Sequence, residues 1–286
     1  RAAGRQRAHH LAGETEYKTT FTAEEDPKNM IGLDRKLHEA IDLLNRGRLD
    51  EAARRVREVL ELRPMETAFT LLAEIQTRQG RFGEAVEVLE RAVATGFAPP
   101  STVQQLARTL LHVGRADEAL ELLQPFRDSD DTGGLNALAG VLIEVGRLED
   151  AHRILQRSLA LQPENPITHE TVALLALRAG QWEETRRAAL RALEIDDGLS
   201  LAWNYLGGAL YNLGRPGEAV DAWESSVDND PQNWDAMFNM AIVAREIGDL
   251  TRAERALRLF VASAPPARYS EDLGRARQWL AQIGGV

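Results

Sequence analysis

The sequence predicts an all-α fold, an α-solenoid of about seven helical hairpins closed by a C-terminal helix. Three observations predict it. Glycine recurs at Gly47, Gly80, Gly114, Gly146, Gly180, Gly214 and Gly248, at intervals of 33, 34, 32, 34, 34 and 34 residues. Apolar residues stand at helical spacing on both sides of each glycine. Two further positions in every period are held to small side chains.

Residues 1–30 are polar and without period, ETEYKTTFTAEEDPKN being their least helical stretch, and read as a linker or strap. Residues 31–266 hold the seven hairpins. In the third, Leu106, Ala107, Leu110 and Leu111 mark one amphipathic helix before Gly114, and Ala119, Leu120, Leu123 and Phe126 mark a second after it. Glycine ends the first helix because it takes the left-handed conformation without a steric penalty. The Asp or Glu soon after it suits the first turn of the next helix. Pro64, Pro163, Pro231 and Pro265 close four hairpins, where proline blocks continuation. The second hairpin ends instead at Phe97, before Pro99 and Pro100, and the third in the polar loop Asp128 to Gly134. Both connections are expected to be irregular. Residues 267–286 give one more amphipathic helix through Leu273, Ala276, Leu280 and Ile283, ended by Gly284 and Gly285. Arg268, Arg275 and Arg277 lie largely off its stripe, which suits the polar outer face of a solenoid cap.

The small positions mark where the two helices of a hairpin cross. Seven residues before the glycines stand Ala40, Ala73, Ala107, Ala139, Ala173, Gly207 and Ala241; five after them stand Ala52, Ala85, Ala119, Ala151, Thr185, Ala219 and Ala253. A large side chain at either place would force the helices apart, at a cost of about 1–3 kcal/mol. Nine residues after the glycines the volume returns, with Val56, Leu89, Leu123, Leu155, Trp223 and Leu257. Ala189 is undersized there, and Trp182 is the candidate to supply the missing volume.

Composition excludes several functions. With 34 Lys+Arg against 44 Asp+Glu and a net charge of -10, general nucleic-acid binding has no electrostatic basis. The absence of cysteine excludes disulfides, thiolate metal sites and a cysteine nucleophile, and leaves the redox compartment open. No run of eighteen apolar residues spans a membrane, and the first residues lack the apolar core of a signal peptide. The chain opens on Arg1 and not Met, which points to a processed product or a fragment. None of the six histidines forms an HExxH or HxH arrangement, and the phosphate-loop and GxSxG motifs are lacking. Glu183-Glu184 and Asp196-Asp197 sit at turns and helix starts, where the helix dipole accounts for them. No catalytic residue, metal or cofactor is therefore expected.

The pattern resembles the tetratricopeptide repeat. The sixth hairpin carries the likeness best, in Trp203, Leu206, Gly207, Leu210, Ala219, Trp223 and Pro231, with Leu210 in place of the signature tyrosine and Trp223 in place of its phenylalanine. The resemblance runs from about Gly32 to Pro265. It implies a right-handed solenoid whose first helices line a concave groove, in which an extended peptide or a helix of a partner protein is held. By helical phase the groove residues in the last two hairpins are Asn204, Tyr205, Gly208, Tyr211, Asn212, Phe238, Asn239 and Arg245. Amides there would grip main-chain groups and aromatics supply contact area; alternatively, Tyr205 and Phe238 pack between hairpins. Earlier first helices would add Glu74, Arg78, Gln104, Gln105, Arg108, His112, Asn136, Glu170 and Arg178. The paired lysines, asparagine and arginine of a two-carboxylate clamp do not stand at matching positions. Trp203, Trp223 and Trp279 are expected in the core, and Trp182 and Trp234 over seams between hairpins.

Two functions follow. The first is a non-catalytic scaffold for protein–protein interaction. The second is the C-terminal repeat arm of a larger hydrolase, because Glu25-Asp26-Pro27-Lys28-Asn29-Met30-Ile31 resembles the junction by which some bacterial sulfatase-like hydrolases pass into such repeats. The nucleophile segment that this resemblance implies, [CS]-x-P-x-R, would then lie upstream of Arg1. Such an arm would be cytoplasmic or exported with its precursor. Self-association is open to any solenoid with an incompletely capped end.

Overall fold

The computed structural model describes residues 27–94 and 98–283, and among these it contains fifteen α-helices and one short 3₁₀ helix. The chain divides after Leu106 into two compact units. The first contains α1 (Pro27–Asn45), α2 (Leu49–Leu62), α3 (Glu66–Arg78), α4 (Phe82–Ala94) and the start of α5 (Pro100–His112). The second holds the remainder of α5, then α6 (Ala116–Leu123), the 3₁₀ helix Gln124–Asp128, α7 (Thr132–Glu144), α8 (Leu148–Leu161), α9 (Pro166–Arg178) and α10 (Trp182–Ile195). It continues through α11 (Ser200–Asn212), α12 (Pro216–Asn229), α13 (Trp234–Glu246), α14 (Leu250–Ser263) and α15 (Pro266–Ile283). In the first unit α1 to α4 pack consecutively, in the second α6 to α15 do, and there the first helices α7, α9 and α11 also lie side by side.

All seven periodic glycines have positive φ, between 70° and 82°. Each closes its helix in the same way. The N–H of the residue after the glycine reaches back to a carbonyl five residues earlier, as in Arg48 to Leu43 at 2.9 Å, Arg147 to Leu142 at 2.8 Å and Arg215 to Leu210 at 2.9 Å. That is the six-to-one bond of a Schellman turn, which only a left-handed residue permits. The same arginines then fold onto the carboxylate three residues ahead: Arg48 on Glu51, Arg115 on Glu118, Arg147 on Asp150 and Arg215 on Glu218. The recurring G-R-x-x-[DE] run thus closes one helix and opens the next, although each exposed pair contributes only about 0–1 kcal/mol.

The small positions are where the sequence placed them. Ala40, Ala73, Ala139, Ala173 and Ala241 before the turns, and Ala52, Ala85, Ala151, Thr185 and Ala253 after them, have no exposed surface. Gly207 is small for an added reason: a Cβ there would stand 2.6 Å from Nε1 of Trp223. Ala189 is fully buried, while Trp182 is half-buried.

The third hairpin is irregular, though less so than expected. Pro125 ends α6 after eight residues, and Phe126, expected in that helix, stands in the 3₁₀ turn. Its ring lies on Gly134, where a Cβ would come 1.9 Å from Cδ1. The polar loop reaches only to Asp131, whose Oδ1 accepts the Gly133 N–H at 3.0 Å and caps α7. A pocket of about 160 Å³, open to solvent on one side, is lined here by Leu120, Leu138, Leu142, Arg127 and Arg147. At the start of the chain, α1 begins at Pro27, inside the stretch assigned to the polar linker. The remainder of that linker, residues 95–97 with Phe97, and Gly284 and Gly285 lie outside the described residues. At the other end α15, the helix expected to serve as the cap, packs on α14.

Candidate functional site

In the second unit, bonds between successive first helices tie one face into a continuous surface. Arg178 of α9 pairs with Glu144 of α7 at 2.7 Å. Tyr211 of α11 donates to Glu246 of α13 at 3.2 Å. Asp235 of α13 takes Arg268 at 2.9 Å and the Tyr269 hydroxyl at 2.8 Å, both from α15. Burial pushes the His112 imidazole down, and so does the charge of Arg268, while Glu144 opposes them.

Nine of the residues assigned to the groove in the sequence divide into three groups. Asn204, Tyr211, Asn212, Arg178 and Arg245 are already engaged, Arg178 and Tyr211 in the bonds between first helices given above. Asn204 accepts from Trp223 Nε1 at 3.0 Å, Asn212 donates to the Gly208 carbonyl at 2.8 Å, and the Arg245 guanidinium sits 4.6 Å above the Trp279 ring. Arg108 and Asn239 make no hydrogen bond or ion pair with another described residue, Arg108 being exposed and Asn239 half-buried. Phe238 and Tyr205 pack inward. Phe238 is 7% exposed, stacked on Trp279 at 5.8 Å and beside Phe260 at 4.9 Å, because α15 folds over it. Tyr205 packs against the same core while keeping part of its surface.

Asn136, also expected on the groove, is buried. Its side chain closes a triangle with Ser158 and Thr168, each side 3.0 Å. A second such clip joins Asn233 to Ser200 at 3.1 Å and to Ser226 at 2.9 Å. Buried polar groups at these seams are satisfied by one another, which fixes the register between neighbouring hairpins. Sequence reasoning missed these clips, along with Glu144 and Asp235. The signal for Glu144 was present, since it stands two residues before its glycine, as His112 and Arg178 do before theirs. Among residues assigned to the groove in the first unit, Arg78 pairs with Glu74 at 2.7 Å, and Gln105 donates to the Thr70 carbonyl at 3.3 Å.

Electrostatics distinguish two residues of the second unit's face. Burial pushes the Glu170 carboxyl up to about 7, against the pull of the Ala202 N–H in the first turn of α11 and with a small further push from Asp196. Burial alone pushes the Arg108 guanidinium down. Glu170 is half-buried and Arg108 exposed, so both keep contact with water. Tyr205 is pushed up by burial and then by the charges of Glu170 and Glu144.

The Glu170 shift carries a sign that can be measured. The folded state holds this proton more tightly than an ordinary carboxyl at 4.5 does. Stability from this group is therefore present below that value and is lost as pH rises through about 7. The wild-type Tm is expected to fall between pH 5 and pH 8 relative to that of Glu170→Gln, as read by circular dichroism. Parallel pH profiles would show that Glu170 is well solvated.

Among the described residues there is no group of three His, Asp or Glu side chains placed to hold a metal ion, and no helix is long and apolar enough to cross a membrane. Residues 37–101 and 105–125 match models of the tetratricopeptide repeat. Residues 126–274, just over half the chain, match the model described as T7SS, ESX-1 secretion system protein EccA1, N-terminal domain. The chain is 26% identical over 214 residues to the Vi polysaccharide export protein VexE of Salmonella typhi, covering 71% of this chain and 32% of that one. It is 22% identical over 215 residues to tetratricopeptide repeat protein 8 of Caenorhabditis elegans, covering 73% and 42%. It thus spans well under half the length of either relative. Among solved structures, yeast Tom70 is similar at a TM-score of 0.68 and 15% identity, covering 99% of this chain and 58% of that one.

Proposed function

The chain belongs to the tetratricopeptide-repeat proteins and, through residues 126–274, to the family of the EccA1 N-terminal domain, and from that premise we propose that it is a non-catalytic scaffold holding a partner protein. The docking surface is the face of the first helices in the second unit, and the occupant is a peptide segment or helix. One observation carries this reading. Arg108 and Asn239, both assigned to the groove, have no hydrogen-bond or ion-pair partner among the described residues, and half-buried Glu170 has no cation against it. Polar groups held in this state gain most from a ligand that completes their bonds. Two of the matches name export functions, a secretion-system protein and a polysaccharide export protein, so components of an export apparatus are the first partners to try.

The test is capture of partner protein from source lysate on the immobilised chain. Tyr211→Ala combined with Asn239→Ala is expected to reduce capture at least about five-fold, roughly 1 kcal/mol, with helicity and Tm nearly unchanged. Unchanged capture would place the site elsewhere, and loss of fold would make the two residues structural.

The alternative, a repeat arm of a sulfatase-like hydrolase, rests on residues 25–31. Residues 27–31 of that junction open α1, and the families matched above are those of the repeats and of a secretion-system domain. The intact mass of the native polypeptide separates a free-standing scaffold from an arm.

A further inference from the structure

The pocket of the third hairpin uses none of the residues assigned to the groove, and its lining has two parts. Leu120 of α6, with the buried Leu138 and Leu142 of α7, makes an apolar floor. Two arginines flank it, Arg127 from the 3₁₀ turn and Arg147 from the turn after α7, beside the exposed Glu121. Arg147 commits Nε and Nη2 to Asp150, which leaves Nη1 without a bond. Arg127 is half-buried, and its guanidinium has no hydrogen-bond or ion-pair partner among the described residues. Its Nε–H is shielded from solvent with no acceptor. The carboxylates nearest in sequence, Asp128 and Asp130, are matched by Arg157. The repeat pattern singles out the same residue. Thirteen residues after the periodic glycines stand Leu60, Val93, Leu159, Leu193, Val227 and Val261, and in the third hairpin Arg127. The packing common to the hairpins therefore does not account for an arginine there.

We propose that this pocket binds a small free monocarboxylic acid whose apolar body is a single ring or branched chain, the body on the leucines and the carboxylate against Arg127 and Nη1 of Arg147. The site adds a small-molecule ligand to the scaffold and does not rest on the docking face proposed above. Volume limits the body: about 160 Å³ is close to the roughly 150 Å³ of a leucine-lined cavity that takes one benzene. Charge selects the head group. A buried guanidinium N–H without an acceptor costs free energy that a carboxylate recovers, and the planar fork of arginine matches a carboxylate in two bonds. Glu121 opposes an anion, but it is exposed, where water and salt screen its charge, whereas Arg127 is half-buried.

The test titrates phenylacetate into the full chain by calorimetry and by protein-observed NMR, beside benzyl alcohol, which lacks the charge, and acetate, which lacks the body. Phenylacetate is expected to bind with a Kd of about 1 mM or tighter and to shift the amides of α6, the 3₁₀ turn and α7. Benzyl alcohol and acetate should each bind at least about ten-fold more weakly, roughly 1.4 kcal/mol. Arg127→Leu installs the kind of residue the other hairpins carry, so the fold should hold; phenylacetate should bind it about ten-fold more weakly and benzyl alcohol equally well. Arg127→Gln should behave alike, so a folding defect in one variant leaves the other to decide. Leu120→Trp fills the pocket and should abolish binding of both compounds. Saturable binding that neither Arg127 variant weakens, shifts confined to other helices, or no saturable binding below about 10 mM would overturn the proposal. So would a peptide ending in a free phenylalanine carboxylate that binds at least about ten-fold tighter than phenylacetate and is lost in Arg127→Leu, because the occupant would then be a chain terminus.

Discussion

Phe260→Ala is expected to cost about 3–5 kcal/mol and to unfold the C-terminal end of the second unit before the remainder of it. Phe260 has no exposed surface. Its ring lies 4.9 Å from that of Phe238 on α13 and 5.5 Å from that of Tyr269 on α15, and Phe238 in turn stacks on Trp279. One side chain of α14 therefore joins the last hairpin to the cap. In a linear array each hairpin is supported only by its neighbours, so the loss stays local. Amide hydrogen exchange should show protection lost across α13 to α15 and kept in α7 to α10. Uniform loss along the chain, or a change below about 1 kcal/mol, would contradict the role assigned to this ring.

The second large effect is a coupling. Alanine occupies the crossing position in six of the seven hairpins, yet Gly207→Ala is expected to destabilise by about 1–3 kcal/mol. The new methyl would meet the Trp223 indole at 2.6 to 2.8 Å, and that ring is held in place by its bond to Asn204. In a Trp223→Leu background the ring is gone, and the same alanine should be neutral or stabilising by up to about 1 kcal/mol, the helix-propensity difference from glycine. A double-mutant cycle in denaturant measures the difference directly. A coupling energy below about 0.5 kcal/mol would mean that the indole moves aside freely.

The hairpins were legible because their determinants are local. Gly146 ends α7 through its own φ of 77° and the bond from Arg147 to Leu142, all within six residues of sequence. The candidate site was legible only in part. Helical phase assigned Tyr211, Asn212 and Arg245 to the groove, and all three side chains already hold contacts with Glu246, the Gly208 carbonyl and Trp279. It placed Phe238 and Asn136 there as well, and both are buried, by Trp279 on α15 and by Ser158 and Thr168 on α8 and α9. Phase gives the direction of a side chain from its own helix; it says nothing of what another helix lays over it. The third hairpin shows the same limit, since nothing in the periodic pattern requires the Phe126 ring to lie on Gly134.

By itself the sequence determined the fold class, the number and register of the hairpins, and the positions that must stay small, because a glycine's backbone freedom and a 34-residue period act within one repeat. Only the tertiary structure decided which polar groups remained without partners. Whether Glu170 or Arg108 keeps a counter-ion depends on side chains brought from other helices, and the desolvation that shifts them is a sum over all those neighbours.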